Sequence, residues 1–252
     1  MNECCTTGFR WNGTPTGHED KIGDQPAYIA GDNNKRAILM LHDVFGWTWN
    51  NTRLLADHYA KEVGATVYLP DFFGGWTAKE GDAWMKLENG KVSMETNPDV
   101  DWPAFFAKNA PEVRLPEVVA CARTLREKYD FVGAVGFCWG GSVGFKLAGK
   151  EQNGLLDCIT IAHPGTPSEE DVRGLSIPTQ IIAPEHDPTF TPEAKEMCNR
   201  IIPTLGIEYV YNYFPGVVHG FCTKSDLGTE QEKKSLERAK AAVEYWFLAH
   251  MG

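Results

Sequence analysis

Val135-Gly136-Phe137-Cys138-Trp139-Gly140-Gly141-Ser142 has the form of a sharp strand-to-helix turn with a nucleophile at its tip. In the pattern Gly-x-nucleophile-x-Gly, side chains two residues before and after the tip would clash, so glycine takes both places. Cys138 stands where serine is more usual. Phe131 to Val135 reads as a short buried strand leading in. Gly140 to Lys150 reads as a helix leading out, and its N-terminal partial positive charge favours thiolate at the sulfur. A buried structural cysteine in a glycine-rich turn is the competing reading of this stretch, and residues downstream must separate the two.

Outward from the turn the chain alternates strand and helix. Ala37 to Leu41 is an apolar run without polar alternation, as a strand covered on both faces requires. It ends at His42-Asp43-Val44-Phe45-Gly46-Trp47, a candidate pocket wall, because open α/β sheets bind ligands beyond the carboxyl ends of their strands. Leu54, Leu55, His58, Tyr59 and Val63 recur near helical spacing, Gly64 is placed to stop that helix, and Ala65 to Leu69 is a further strand. Strand, helix and strand in succession imply a right-handed parallel crossover. Pro26 to Ala30, the turn at Gly31-Asp32-Asn33-Asn34 and the run from Ala37 read as an edge hairpin.

From Gly74 to Asn109 the rhythm is lost. Gly74-Gly75, Gly81-Asp82, Asn89-Gly90 and Asn97-Pro98 punctuate a segment that also carries Trp76, Trp84, Trp102, Phe105 and Phe106. That many aromatics must cover something, either the pocket or a second small core. Leu115, Val118, Val119, Ala122, Leu125 and Tyr129 then form a helical stripe. Leu156 to Ala162, Pro178 to Ala183 and Ile207 to Tyr213 are strand candidates, and Thr229-Glu230-Gln231-Glu232 looks like a capping box opening a final amphipathic helix. One α/β domain over residues 1–252 is expected, with a mostly parallel central sheet flanked by helices.

At 252 residues, 42% hydrophobic and 23% charged, the chain can bury one substantial core. Its formal net charge of −10 argues against binding nucleic-acid phosphates or an anionic membrane face. The start Met1-Asn2-Glu3-Cys4-Cys5 lacks a basic, apolar leader, and no stretch approaches the ~18 apolar residues of a membrane span, so a cytoplasmic protein is expected. Seven cysteines without paired spacing suggest reduced thiols rather than a zinc site or disulfide scaffold. No role falls to Cys4 and Cys5, and neither metal nor organic cofactor is called for.

A thiol nucleophile needs a base, and the base an acid to orient it and stabilise its cationic form. In the chain order nucleophile, acid, histidine, Asp187 of Glu185-His186-Asp187-Pro188 and His219 of Pro215-Gly216-Val217-Val218-His219-Gly220-Phe221 both follow strands and would hang from the same sheet edge as Cys138. His163 follows a strand but precedes every plausible acid, which leaves it a pocket or structural role. Glu185 is the rival acid.

These motifs together resemble the dienelactone hydrolase family, of the fungal type. The resemblance rests on His42-Asp43-Val44-Phe45-Gly46, Pro70-Asp71, Gly136-Phe137-Cys138-Trp139-Gly140-Gly141, Glu185-His186-Asp187-Pro188 and Pro215-Gly216 through Phe221, with the lead through Gly13-Thr14-Pro15-Thr16-Gly17. It implies an α/β-hydrolase fold without a large cap and a Cys138, His219, Asp187 triad. The family's bacterial members carry glutamate at the place of Asp43, where the carboxylate is thought to meet the resting thiol. They also carry two arginines for a substrate carboxylate, at the places of Gly75 and Thr223. A small-molecule ester or lactone is then the expected substrate, opened through an acyl-enzyme by Cys138, with the oxyanion on the N–H groups of Val44 and Trp139. Phe45, Trp47, His163 and Phe221 are expected to line the pocket, favouring neutral substrates, with Lys224 close enough in sequence to be a partial substitute for the missing arginines. A thiol-dependent transferase or cyclase and a catalytically silent binding protein are the alternatives, and the protein is expected as monomer or homodimer.

Overall fold

The computed structural model describes residues 10–77, 83–88 and 91–251; Cys4, Cys5, Gly81-Asp82 and Asn89-Gly90 fall outside them. The chain runs β1 (His18–Ile22), β2 (Gln25–Ala30), β3 (Arg36–Leu41), α1 (Asn50–Val63), β4 (Thr66–Pro70), β5 (Ala83–Glu88), β6 (Lys91–Thr96), α2 (Trp102–Lys108) and α3 (Pro111–Lys128). It continues through β7 (Phe131–Phe137), α4 (Trp139–Leu147), β8 (Cys158–Ala162), α5 (Glu169–Gly174), β9 (Thr179–His186), α6 (Pro192–Ile201), β10 (Tyr209–Val218), α7 (Phe221–Lys224) and α8 (Glu230–His250). An eight-stranded sheet in the order β1-β2-β4-β3-β7-β8-β9-β10 is parallel from β4 onward, with β1 and β2 antiparallel at one edge. This is the α/β-hydrolase arrangement.

Period-two alternation places each strand's side chains in two layers. Ala37, Leu39 and Leu41 of β3 face a core with Val118 and Leu125 of α3 and Val143 of α4. Ile38 and Met40 face Leu55 and Tyr59 of α1 and Leu236, Val243 and Phe247 of α8. Each fully buried side chain of this kind contributes about 1.5–3 kcal/mol. The helix expected from Leu54 onward is α1, stopped at Gly64 in a left-handed C-cap.

Two expectations are corrected. The edge hairpin is β1–β2, closed by the two-residue turn Gly23-Asp24 with Gly23 at φ +57°, whose local twist matches that of paired strands. β2 then pairs with β4, and β3 lies one strand further in, so the Gly31–Asn34 segment is a crossing connection. Thr229 makes no capping box, because its hydroxyl donates to the Asp226 carbonyl while Glu232 accepts the Asp226 N–H. The irregular segment holds a β5–β6 hairpin and α2, and α2 docks on the turn at Cys138 rather than forming a separate core.

β3 and β7 are neighbours, and the chain passes from β3 to β4 on one side and from β7 to β8 on the other. The loops after β3 and β7 therefore diverge, opening a crevice at the carboxyl edge.

Candidate functional site

Every residue singled out around Cys138 leaves the carboxyl end of a strand: Asp43 from β3, Cys138 from β7, His163 from β8, Asp187 from β9 and His219 from β10. Cys138 sits at φ 54°, ψ −109°, a strained conformation for a non-glycine residue. Its N–H donates to Ala162 O at 3.1 Å and its carbonyl accepts from Ser142 N–H at 3.0 Å. A Cβ at Gly136 would run into the Gly140 carbonyl, and one at Gly140 into the Leu41 carbonyl, so the turn can be this tight only with glycine at both places. Gly140 N–H also donates to His42 O at 3.1 Å, joining the elbow to the loop after β3. The N–H groups of Val44 and Trp139 donate to no protein acceptor among the described residues.

His42, fully buried, holds that loop. Its Nδ1–H donates to Asp43 O at 2.8 Å and its Nε2 accepts from Phe72 N–H at 3.3 Å, while its ring stacks on Trp139 at 5.5 Å. Trp139 packs edge-on against Phe73 at 4.7 Å and donates its indole N–H to Asn109 O at 2.6 Å. Arg114 pins Asn109 in turn. The aromatic excursion thus braces the residue beside Cys138, with Phe73, Trp76, Trp102 and Phe105 in mutual contact.

His219 and Asp187 meet. His219 Nδ1–H donates to Asp187 Oδ2 at 2.9 Å, and the Cys138 side chain lies within electrostatic reach of the same ring. Burial would lower the His219 pKa, but the nearby Cys138 side chain and the Asp187 carboxylate, the latter hydrogen-bonded to the ring, raise it instead, to about 10. Burial would raise Asp187, yet the charge and hydrogen bond of His219, with the N–H groups of Phe190 and Thr189, hold its carboxyl below the usual carboxylate range. The irregularity between Phe214 and Val218 delivers His219 to this place, and its N–H is tied to His186 O at 3.0 Å. Glu185, the rival acid, turns away and accepts Gly216 N–H at 2.7 Å.

Several residues here carried no sequence signal that stood out. Thr189 Oγ1 lies 2.9 Å from Asp187 Oδ1, 3.1 Å from Pro164 O and 3.1 Å from His219 Nδ1. The Asp187-Pro188-Thr189 sequence is itself an Asx-turn signal, with the Thr189 and Phe190 N–H groups both reaching Asp187 Oδ1. Buried Lys195 of α6 donates to the carbonyls of Pro184 and Glu185, fixing the strand end ahead of Asp187.

The remaining expected residues divide. Phe45 stacks on Trp49 at 4.9 Å and carries the Lys224 ammonium 5.5 Å from its ring centre; Phe221 packs on Phe214 and His163. Trp47 packs in the other layer from Phe45, with α1 and α8 and under the Arg53 guanidinium. His163 is fully buried against His219 and presents no surface to a ligand. Asp43, at the place of the family's glutamate, is held within its own loop: Oδ1 accepts Phe45 N–H at 2.8 Å and Oδ2 accepts the Thr223 hydroxyl at 2.7 Å, with no hydrogen bond to Cys138 among the described residues. One methylene shorter than glutamate, it is satisfied within its own loop. Asp43→Asn is accordingly expected to cost about 1–2 kcal/mol of stability through the weakened Thr223 contact while leaving the pH profile of Cys138 alkylation where it was. Denaturant unfolding beside iodoacetamide kinetics checks both halves.

Among the described residues, no group of three or more His, Cys, Asp or Glu is placed to hold a metal ion, and no helix is long and apolar enough to cross a membrane.

The model of the dienelactone hydrolase family matches residues 26–251. The chain is 29% identical to the hydrolase tropI of Talaromyces stipitatus over 98% of its own length and 96% of that protein. It is also 29% identical to the mouse carboxymethylenebutenolidase homolog, over 97% of this chain and 96% of that one. Among solved structures it superposes on dienelactone hydrolase from Anabaena variabilis with a TM-score of 0.65 at 12% identity, covering 94% of this chain and 98% of the other, a likeness of fold.

Proposed function

Since the chain belongs to the dienelactone hydrolase family, we propose that it is a carboxylic ester or lactone hydrolase whose nucleophile is Cys138, with His219 as base and acid and Asp187 as orienter. The observation that carries this reading is the buried His219–Asp187 pair beside Cys138, which itself sits on a strained turn at the start of α4.

The chemistry follows from that geometry. Cys138 Sγ attacks the acyl carbon, and the carbonyl oxygen takes the negative charge. The unaccepted N–H groups of Trp139 and Val44 receive it, each contributing about 3 kcal/mol to the transition state. As the C–O bond breaks, His219 gives its proton to the departing alkoxide, leaving a thioester on Cys138. His219 then takes a proton from water, the resulting hydroxide adds to the thioester, and the C–S bond breaks to release the acid and restore the thiolate and imidazolium. In a lactone, alkoxide and acid leave as one molecule. Asp187 keeps the His219 tautomer that faces Cys138 throughout, and Thr189 holds Asp187.

The test is a slowly deacylating activated ester with intact-mass measurement. A single acyl increment on Cys138 that decays with turnover is expected; acylation confined to another residue overturns the reading. Recovery of free acid, rather than acyl transferred to an added amine or alcohol, separates hydrolase from transferase.

Substrate charge follows from the two arginine places. The Gly75 N–H is engaged by Asp71 and the Thr223 hydroxyl by Asp43, so neither position offers a donor to a substrate carboxylate. Lys224, whose stem crosses Gly220, lies within electrostatic reach of Asp43 and Asp187, two carboxylates that an anionic substrate would also meet. Each missing charged hydrogen bond is worth about 1.5–3 kcal/mol, or tenfold and upward in kcat/KM. Neutral members of matched ester pairs are expected to exceed their carboxylated analogues by at least that factor. A tenfold advantage for the carboxylated members would overturn this and assign their recognition to Lys224.

A further inference from the structure

His163 is built at a cost that packing alone does not explain. Its N–H donates to Ile182 O at 2.9 Å, the last tie to the sheet, and the backbone then turns to φ 35°, a left-handed conformation unfavourable for a residue with a Cβ. The side chain is 0% exposed, and neither Nδ1 nor Nε2 has a hydrogen-bond partner among the described residues. Phenylalanine would fill the space between Phe137, Phe221 and His219 without burying two unsatisfied nitrogens. What distinguishes the place is its neighbour: the His163 ring meets the His219 ring edge-to-face, 5.1 Å between centres at 64°.

The titratable groups around the pair are Cys138 from the elbow and Asp187 from the loop before α6, with Lys224 from α7 and Asp43 beyond Lys224. Burial, with the positive charges of His219 and Lys224, keeps His163 uncharged. An uncharged imidazole still has an unshared electron pair and a large dipole, and no hydrogen-bond donor among the described residues competes for them here. Against His219, a neutral polar ring of this kind favours imidazolium, whereas a charged one would oppose it.

Resting on the assignment of Cys138 and His219 above, we propose that His163 is a positioning residue: as a neutral imidazole packed against His219, it stabilises the protonated histidine paired with the Cys138 thiolate and so sharpens the nucleophile. It touches no substrate and donates no proton.

The experiment follows the rate of Cys138 alkylation by iodoacetamide against pH in the full chain, together with thermal unfolding. His163→Phe is expected to unfold at the same or a higher temperature, because unsatisfied nitrogens leave the core. Its alkylation profile is expected to move to higher pH by at least half a unit, with alkylation at pH 6.5 slowed threefold or more. His163→Met, a second apolar replacement, carries the same expectation if the phenylalanine variant does not fold. His163→Asn tolerates the left-handed backbone and keeps a neutral dipole, and it should recover at least half of the displacement. A profile that stays in place in whichever apolar variant folds overturns the proposal, and so does an asparagine variant displaced as far as the apolar one. Undiminished ester turnover after removal of Cys138 would instead sink the nucleophile assignment, whatever the His163 profiles show.

Discussion

Replacing Cys138 by alanine is expected to lower kcat/KM for ester hydrolysis by on the order of 10⁴-fold or more, since a nucleophile and its base act as a unit and loss of either removes nearly all of their joint effect. The fold should survive. Cys138 is only partly buried, so loss of the sulfur opens no closed cavity, and the Cys138 N–H and carbonyl bonds to Ala162 and Ser142 belong to the backbone. Alanine at φ 54° bears the same strain as cysteine, so that cost cancels in the comparison. Cys138→Ser should retain a small residue of activity: a hydroxyl ionises far less readily than a thiol, with its ordinary pKa of ~8.5, and asks more of His219. Thermal unfolding alongside ester turnover decides the matter. An alanine variant with wild-type unfolding and undiminished turnover would remove Cys138 from the mechanism, and a collapsed unfolding temperature would show that the cysteine serves the fold.

The features legible in the sequence are those whose cause is local. Gly136 and Gly140 announce the elbow because no side chain fits there, and the unbroken apolar run Ala37 to Leu41 announces a strand covered on both faces. Chain order then placed Asp187 and His219 on the same edge, as they are found. What failed depended on partners distant in sequence. Nothing in Pro26 to Ala30 says that it will pair with β4 rather than β3, since both neighbours are equally apolar. Thr229 has the residues of a capping box, but Asp226 offers both of its backbone groups nearby and wins. Trp47 follows Phe45 by two residues and looks like the same wall, yet Arg53 one turn along α1 draws it to the other layer. Thr189 was readable in principle, because an aspartate two residues before a threonine invites an Asx turn, but its second contact, to His219, comes from the end of β10.

Asp187→Asn is the sharper test of how the site uses charge. The amide keeps the size of the carboxylate and can still accept the Thr189 and Phe190 N–H groups through Oδ1, but Nδ2 cannot accept from His219 Nδ1–H. His219 must then turn its ring or change tautomer. In serine triads, loss of the orienting carboxylate costs on the order of 10⁴ in kcat, and a loss of roughly 10³–10⁴ is expected here. The pH profile moves in a definite direction. Asp187 raises the His219 pKa, and release of a poor alkoxide needs His219 protonated, so the alkaline limb of kcat should fall at lower pH in the variant, by a unit or more. Stability carries the complementary sign. The Asp187 carboxyl is depressed in the folded chain, so its contribution is complete above the unfolded value of ~3.9 and fades as pH falls through the folded one. The gap in unfolding free energy between wild type and Asp187→Asn should therefore be wide at pH 7 and narrow below pH 4. If kcat stays within tenfold of wild type, the alkaline limb holds its place and the gap does not close in acid, Asp187 is a structural Asx-turn residue and the orienting group must be sought elsewhere.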